Sequence, residues 1–263
     1  MQKGIETRYI IHEILKILKT RPTTLNTVFA EKIEGKNLSK SDQNMIKNVV
    51  LNSMRHFLFA EQILKQFAKK INKSSNAYFL LLSAITQLLI LKFKDFAVIN
   101  STVELSKDER IKAPTNFINA ILRNINRNKK NFKKLNYNFS QLPTWFKKRI
   151  PLWTQNQKSM FIKTICEEPN LHLVFKNKKD IQKITTNNIK TSDCSVAIIN
   201  PISIREISGF NEGWWWVQDF SAMMPLYLNK NINNKITADL FAAPGGKSFQ
   251  LISYGAKVKA FEN

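Results

Sequence analysis

Residues 236–263 read ITADLFAAPGGKSFQLISYGAKVKAFEN, and the fold of the carboxyl-terminal part follows from this stretch. It parses as strand, glycine-rich turn, helix and second strand. Asp239 ends the first strand, Ala242–Lys247 form the turn, Ser248–Ser253 begin the helix, and Lys257–Phe261 form the next strand. Glu262 then stands at the carboxyl end of that strand, 16 residues after Gly246. In a doubly wound sheet this is the geometry of an adenosine site. Small turn residues let backbone amides approach the ligand, and the acid accepts hydrogen bonds from the ribose hydroxyls. A phosphate loop would need GxxxxGK followed by Ser or Thr. Gly246, Lys247 and Ser248 fit its end, but the first glycine would fall at position 241, which is Phe. The dinucleotide fingerprint G-x-G-x-x-G is absent. A cofactor with adenosine but no phosphate, S-adenosyl-L-methionine, fits best.

Glycine usage divides the rest of the chain. Only Gly4 and Gly35 occur in the first 208 of 263 residues, and the other five glycines follow from Gly209 onward. A region nearly free of glycine is built mostly of helices, whereas a late cluster signals tight turns or close backbone approach to a ligand. Ile10, Ile11, Ile14, Ile17 and Leu18 share one helical face, and Pro22 stops that helix. Ser41 or Asp42 can cap a long helix carrying Met45, Val49, Leu51, Met54, Phe57 and Leu58, with a second segment at Ile63, Leu64 and Phe67. Tyr78–Lys92 is apolar nearly all round, as a central buried helix should be. It is too short and too interrupted for a membrane span. Val98, Thr102 and Leu105, then Phe117, Ile118, Ile121, Leu122 and Ile125 after Pro114, continue the helical spacing. Past Pro143 the pattern changes. Leu171, Leu173 and Phe175 alternate as a strand, Ser195–Ile199 is a short β-rich run, and Asp180–Lys190 reads as a short helix between them. The large apolar residues Trp145, Trp153 and Trp214–Trp216 read as groups packing against the neighbouring domain, ahead of the alternative that they stack on bases.

Charge is as uneven as glycine. The chain carries +22 formally, with +18 in residues 1–150 and +4 in the remainder. No acid falls between Arg110 and Cys166, a stretch that holds Arg123, Arg127, Lys129, Lys130, Lys133, Lys134, Lys147, Lys148 and Arg149. Such a field suits a polyanion, because each neutralised phosphate releases condensed counterions. The competing reading is a solvated basic face in a lysine-rich composition. Cys166 and Cys194 make no disulfide framework, and His12, His56 and His172 are too scattered for a zinc site. The amino terminus has Glu6, Arg8 and Glu13 where a signal peptide needs an unbroken apolar core. A reduced, cytoplasmic protein with no metal and no membrane partner is expected, and a monomer.

The segment AAPGGK behind a strand ending in Asp resembles the cofactor motif of the RNA cytosine carbon-5 methyltransferases. The upstream GWWWVQDFSAM is similar to that family's approach to the motif, at Gly213, Gln218, Asp219 and Ser221. AVINSTVELSK (97–107) and NFINAILRNI (116–125) resemble the NusB-like helical domain that precedes the small-subunit ribosomal RNA enzymes of the RsmB/Sun branch, and LPTWF (142–146) resembles the start of their linking region. The resemblance implies an α plus α/β chain. Residues 1–135 would be a NusB-like RNA-binding bundle, 136–210 a linker and small α/β connector, and 211–263 the first strands of a Rossmann-like S-adenosylmethionine-binding domain. Phe241, Ala242, Ala243, Pro244, Gly245, Gly246 and Lys247 would line the methionine and adenosine portions, and Glu262 would hold the ribose. Phe241 stands where the family usually has Cys, and Phe220, Ala222 and Met223 replace its Ala-Ser-Gln pattern.

The implied chemistry is addition of a cysteine thiolate to carbon 6 of cytosine, which makes carbon 5 nucleophilic enough to take a methyl group. In the family both cysteines lie well past the glycine-rich turn. Cys166 and Cys194 precede it, so the catalytic cysteines are expected downstream of Asn263 and this chain by itself is expected not to methylate. Two functions stand side by side: a small-subunit ribosomal RNA cytosine carbon-5 methyltransferase of which this is the amino-terminal portion, and a non-catalytic NusB-like RNA-binding module acting in antitermination.

Overall fold

The computed structural model of the chain describes residues 3–132, 139–199, 203–229 and 231–262. They separate into two compact units, Met1–Glu167 and Glu168–Asn263.

The first unit is helical: α1 (Lys3–Thr20), α2 (Leu25–Ile33), α3 (Lys40–Arg55), α4 (Phe57–Phe67), α5 (Asn76–Ile85), α6 (Asp95–Lys107), α7 (Thr115–Arg127), α8 (Lys129–Phe132), α9 (Thr144–Arg149) and α10 (Gln155–Cys166). Apolar periodicity explains its centre. Every residue of α5 from Ala77 to Ile85 is at most 6% exposed, so this helix is surrounded on all sides. Ile10, Ile11 and Ile14 of α1 and Ile118, Leu122 and Ile125 of α7 join the same core. Each such side chain contributes about 1.5–3 kcal/mol on leaving water. The central segment does not stay α-helical to Lys92. Thr86–Ile90 forms a π turn, in which the Leu91 N–H reaches the Thr86 carbonyl.

Caps set the helix starts. The Thr24, Ser39 and Ser75 hydroxyls accept from the backbone N–H groups of Thr27, Asp42 and Tyr78, and Thr154 forms a reciprocal capping box with Gln157. The cap of α3 is thus Ser39, upstream of the Ser41 and Asp42 anticipated from sequence. Ser39 keeps an extended backbone while Asp42, at the third helical position, takes its hydroxyl hydrogen bond at 2.5 Å.

The second unit begins with β1 (Leu171–Phe175), β2 (Asn188–Ser192), β3 (Ser195–Ile198) and β4 (Trp215–Val217), an antiparallel sheet in the order β2-β3-β1-β4. Leu173, Phe175, Val196, Ile198 and Trp215 pack on one face with Ile184 and Ile207, and Val174, Cys194 and Met223 form a smaller cluster. Asp180–Lys190, read from sequence as a helix, divides instead into a 3-10 turn (Lys178–Lys183) and the strand β2. The tryptophan run supplies β4, with Trp216 opposite Val174. Gly209, at φ +85°, lies under the Trp214 ring, where a Cβ would come within 2.4 Å of it. Then follow α11 (Phe220–Leu228), β5 (Ile236–Asp239), α12 (Gly246–Ser253) and β6 (Lys257–Ala260). β5 and β6 pair in parallel, Ile236 opposite Lys257 and Asp239 opposite Ala260, and α12 is their crossover.

One buried titratable group gives the helical unit a pH dependence. His12 is 1% exposed, and burial pushes its imidazole down to about 4, although the Glu13 carboxylate 3.4 Å away partly opposes the shift. The unfolded chain takes up this proton near pH 6.5 while the folded chain resists it, so stability falls as pH drops from 6.5 toward 4. The loss approaches about 3 kcal/mol once both pKa values are passed. Thermal melts followed by far-ultraviolet circular dichroism should show the melting temperature falling between pH 7 and pH 5, and the fall should shrink in His12→Met.

Candidate cofactor turn and nucleic-acid interface

The glycine-rich turn leaves β5 at Asp239 and is closed by four short hydrogen bonds. The Phe261 N–H donates to the Asp239 carbonyl at 2.8 Å, and the Ala242 N–H to the Phe261 carbonyl at 3.1 Å. The Ser248 hydroxyl donates to the Asp239 carboxylate at 2.6 Å. The Ala243 N–H donates to Glu262 Oε2 at 2.7 Å. The acid after β6 is therefore brought against the turn, although it follows Gly246 by 16 residues. One of its oxygens is held by the backbone, and the other retains its lone pairs for hydroxyl donors.

Phe241, Ala243, Pro244 and Lys247 are exposed, while Ala242, Gly245 and Gly246 are half-buried. The helix starts at Gly246, two residues earlier than the sequence pattern indicated, with Gly245 at its N-cap and no side chain capping it. Among the described residues the first amides of α12 thus have no side-chain cap, and they carry the positive end of the helix dipole. Gly245 has φ +98°, and a Cβ there would lie 3.1 Å from the Phe249 ring. Gly246 is different. Its added Cβ would meet the Gln218 side chain at 3.4 Å, close to ordinary contact. Open amides, a left-handed glycine and a partly free carboxylate suit an uncharged ribose with a carboxylate-bearing tail, so the residues of the turn fit S-adenosylmethionine.

Behind the turn lies a polar cluster that sequence patterning does not reveal. Gln250, on the inner side of α12, is wholly buried and gives its amide to the Met223 carbonyl at 3.0 Å and the Tyr254 hydroxyl at 3.1 Å. Gln218 donates to Gln250 Oε1 at 3.2 Å and accepts the Trp216 indole N–H at 2.8 Å. A glutamine in a short amphipathic helix reads as a solvent position, and only the resemblance at Gln218 points toward this region. Burial also pushes the Tyr254 phenol up to about 12. Asp219 caps α11 through the Ser221 N–H at 2.8 Å, and hydrogen bonds from Ser221 hold its carboxyl below the usual range.

The basic residues fall on the helical unit. Arg123 and Arg127 project from α7, with Arg123 Nε bonded to Asn119 at 2.9 Å. Lys129 is ion-paired with Asp95 of α6, an acid outside the acid-free stretch. Lys130 is exposed. Lys133 and Lys134 lie outside the described residues. On α9, Lys147 donates to the Ser140 carbonyl at 2.8 Å, Lys148 is exposed, and the Arg149 guanidinium lies over the Trp145 ring at 5.5 Å. Among the described residues, no group of three or more His, Cys, Asp or Glu could hold a metal ion, and no helix is long and apolar enough to cross a membrane. Cys194 is 5% exposed within the small cluster of the second unit, and Cys166 ends α10.

The NusB family pattern matches residues 6–127. This stretch is a NusB domain. Over most of its length the chain is also homologous to small-subunit ribosomal RNA methyltransferases of the Sun/RsmB type, at modest identity. It is 25% identical to the probable ribosomal RNA small subunit methyltransferase B of Coxiella burnetii (strain RSA 493 / Nine Mile phase I), over 92% of this chain and 61% of that protein. To the ribosomal RNA small subunit methyltransferase B of Proteus mirabilis (strain HI4320) it is 25% identical, over 84% of this chain and 56% of that protein. The chain therefore spans a little over half the length of these relatives. The crystal structure of PH0851 matches 98% of this chain and 63% of its own with a TM-score of 0.53 at 12% identity, a likeness of fold. The NusB domain followed by a region with several strands in a sheet makes the chain α+β.

The two glycines of the turn separate backbone need from space. Gly245→Ala should destabilise the turn by about 1–2 kcal/mol, the usual penalty for a side chain in left-handed backbone. It should speed amide hydrogen exchange in α12, whereas Gly246→Ala should leave exchange within about twofold of wild type. Equal effects at both glycines would show that the left-handed conformation is not what the turn requires.

Proposed function

We propose that the chain is the RNA-recognition and cofactor-entry portion of an S-adenosyl-L-methionine-dependent ribosomal RNA cytosine carbon-5 methyltransferase acting on the small subunit. The observation that carries this reading is the 2.7 Å bond from the Ala243 N–H to Glu262. It brings a carboxylate to the mouth of a glycine-rich turn in a chain homologous to methyltransferases of that type. In this reading residues 211–263 take the cofactor, and the NusB domain and the connection after it take RNA.

The bound cofactor supplies a methyl group on a sulfonium. The residues of this chain do the positioning. Glu262 accepts from the ribose hydroxyls with the oxygen that Ala243 leaves free. The amides from Gly246 onward would receive the carboxylate of the methionine tail, since the helix dipole favours negative charge there. Ala242, Ala243 and Gly245 would keep side-chain bulk away from the ligand, and Phe241, Pro244 and Lys247 would border it. Neither Cys166 nor Cys194 takes part in the chemistry. Cys194 is buried under its sheet, and the family resemblance puts the reacting thiols elsewhere.

Nuclear magnetic resonance of the labelled chain tests the cofactor assignment even for a weak site. Millimolar S-adenosylhomocysteine should shift the amide peaks of Gly245, Gly246, Lys247 and Ser248, and these shifts should vanish in Glu262→Ala. Unmoved peaks in the wild-type chain would contradict the assignment. With labelled cofactor and unmodified small-subunit ribosomal RNA, the chain should transfer no methyl group to cytosine. Transfer that disappears in Cys166→Ala or Cys194→Ala would overturn the reading.

The RNA assignment predicts a steep salt dependence with little sequence preference. Lys129 and Lys147 already have intramolecular partners, so Arg127, Lys130 and Lys148 should carry more of the phosphate binding. Each of these reversed to Glu should lower the salt slope for single-stranded RNA by about 0.7 for every phosphate left unneutralised. Filter binding of the whole chain across a salt series measures this, and an unchanged slope would reduce the stretch to a solvated surface.

A further inference from the structure

The segment after the NusB domain builds a small aromatic core. Phe146 stacks on Phe161 with centroids 5.1 Å apart and an interplanar angle of 21°. Trp153 meets Phe161 edge-on at 5.3 Å and Phe146 at 6.5 Å, and Phe139 approaches Trp153 at 6.5 Å. α9 and α10 are held together through these rings. Trp145 is attached to the cluster by one edge contact, at 90° to Phe146 and 5.8 Å from it. Its remaining surface is open, and the side chain is 61% exposed. Sequence alone favours a packing role for this tryptophan, and the structure leaves most of it in water.

The surroundings of that ring are cationic. The Arg149 guanidinium lies 5.5 Å from its centroid, and Lys148 is exposed on the same short helix. No acidic residue occurs from 111 to 166, and among the described residues neither Lys148 nor Arg149 is in an ion pair. An exposed indole fixed at one edge, flanked by cations with no carboxylate to neutralise them, matches the stacking platforms that hold single-stranded nucleic acid. There the ring takes a base face, and the cations take the adjoining phosphates.

We propose that Trp145 is a base-stacking site for single-stranded RNA, with Lys148 and Arg149 on the flanking phosphates. This rests on the RNA-binding reading above and adds a contact to bases, which phosphate-binding lysines do not make. Stacking does not depend on base identity, because every base has a π face, so the site grips an unpaired strand without selecting its sequence. A duplex, whose bases are already stacked on one another, offers it nothing.

The test is fluorescence anisotropy of the whole chain with two probes of equal length: a short labelled oligouridylate, and an abasic ribose-phosphate oligomer carrying the same charges. Trp145→Ala should weaken oligouridylate binding about tenfold, with an unchanged salt slope, and leave the abasic oligomer unaffected. Trp145→Phe should restore most of the affinity. The residue is mostly exposed, so both variants should keep the wild-type circular dichroism spectrum. Equal weakening on both probes, or no weakening on either, would overturn the stacking site while leaving RNA binding itself intact. Failure of the wild-type chain to bind either probe would overturn the RNA reading and the platform together. A tryptophan emission difference between the wild-type chain and Trp145→Phe that ignores RNA but shifts with protein concentration would mark the ring as an interface between copies of the chain, against the proposal.

Discussion

A single buried side chain orients the helix that follows the glycine-rich turn. Gln250 has no exposed surface, and an amide taken out of water without partners costs about 1–3 kcal/mol. Its requirements are met only in one rotation of α12, where the Met223 carbonyl, the Tyr254 hydroxyl and the Gln218 amide are all within reach. Those partners come from α11, from the end of α12 itself and from the residue after β4. Fixing the helix fixes the turn at its amino end. Gly245 can then hold its left-handed conformation, Ser248 can reach Asp239, and the Ala243 N–H points at Glu262. The glycine-rich turn is thus held from behind by hydrogen bonds, while Phe241, Ala243, Pro244 and Lys247 stay exposed to solvent.

The helical unit is organised differently. Its centre is apolar on nearly every side of α5. Some of the polar groups that enter it are tied to nearby partners, while others, the His12 ring among them, are buried without a hydrogen bond among the described residues. Gln87 bonds back to Ser83, and Tyr78 reaches Glu61, whose carboxyl Tyr78 and Lys73 hold down against the effect of burial. The outer surface carries the charge. Acids are used where a cation needs holding, as Asp95 does for Lys129 and Glu6 and Asp108 do for Arg110. Beyond α7 the sequence holds no acid until Glu167, so the exposed cations of α9 have no acid near them in sequence. That contrast makes charge on the connection after the NusB domain more informative than the same number of lysines scattered over the bundle.

Much of this was legible in the residues, for identifiable reasons. Spacing of apolar side chains marked α1, the buried centre of α5 and the inner face of α7, because helical periodicity is a local property. The strand-turn-helix-strand order of residues 236–262 followed from small residues and β-branched runs. What escaped was non-local. Nothing in the residue pattern signals that Asp95 would reach Lys129 across helices, or that Gln250 faces inward and makes three bonds. Asp180–Lys190 reads as a short helix, yet only a 3-10 turn forms at its start and pairing with β3 draws its last three residues into a strand. Trp145 and Trp215 are the same residue type, but one is 61% exposed and the other 8%, because only the second lies in a strand paired with β1 and packed in the core of its sheet.

The central claim is that Glu262, held to the turn by the Ala243 N–H, reads a ribose. Calorimetric titration of the chain with S-adenosylhomocysteine and with its 2′,3′-dideoxy counterpart isolates that interaction, since the two ligands differ only in the hydroxyls. The account predicts that the natural ligand binds at least about tenfold more tightly, the worth of one to two hydrogen bonds to a charged acceptor, and that Glu262→Ala removes the difference. Equal affinity for the two ligands in the wild-type chain would contradict it.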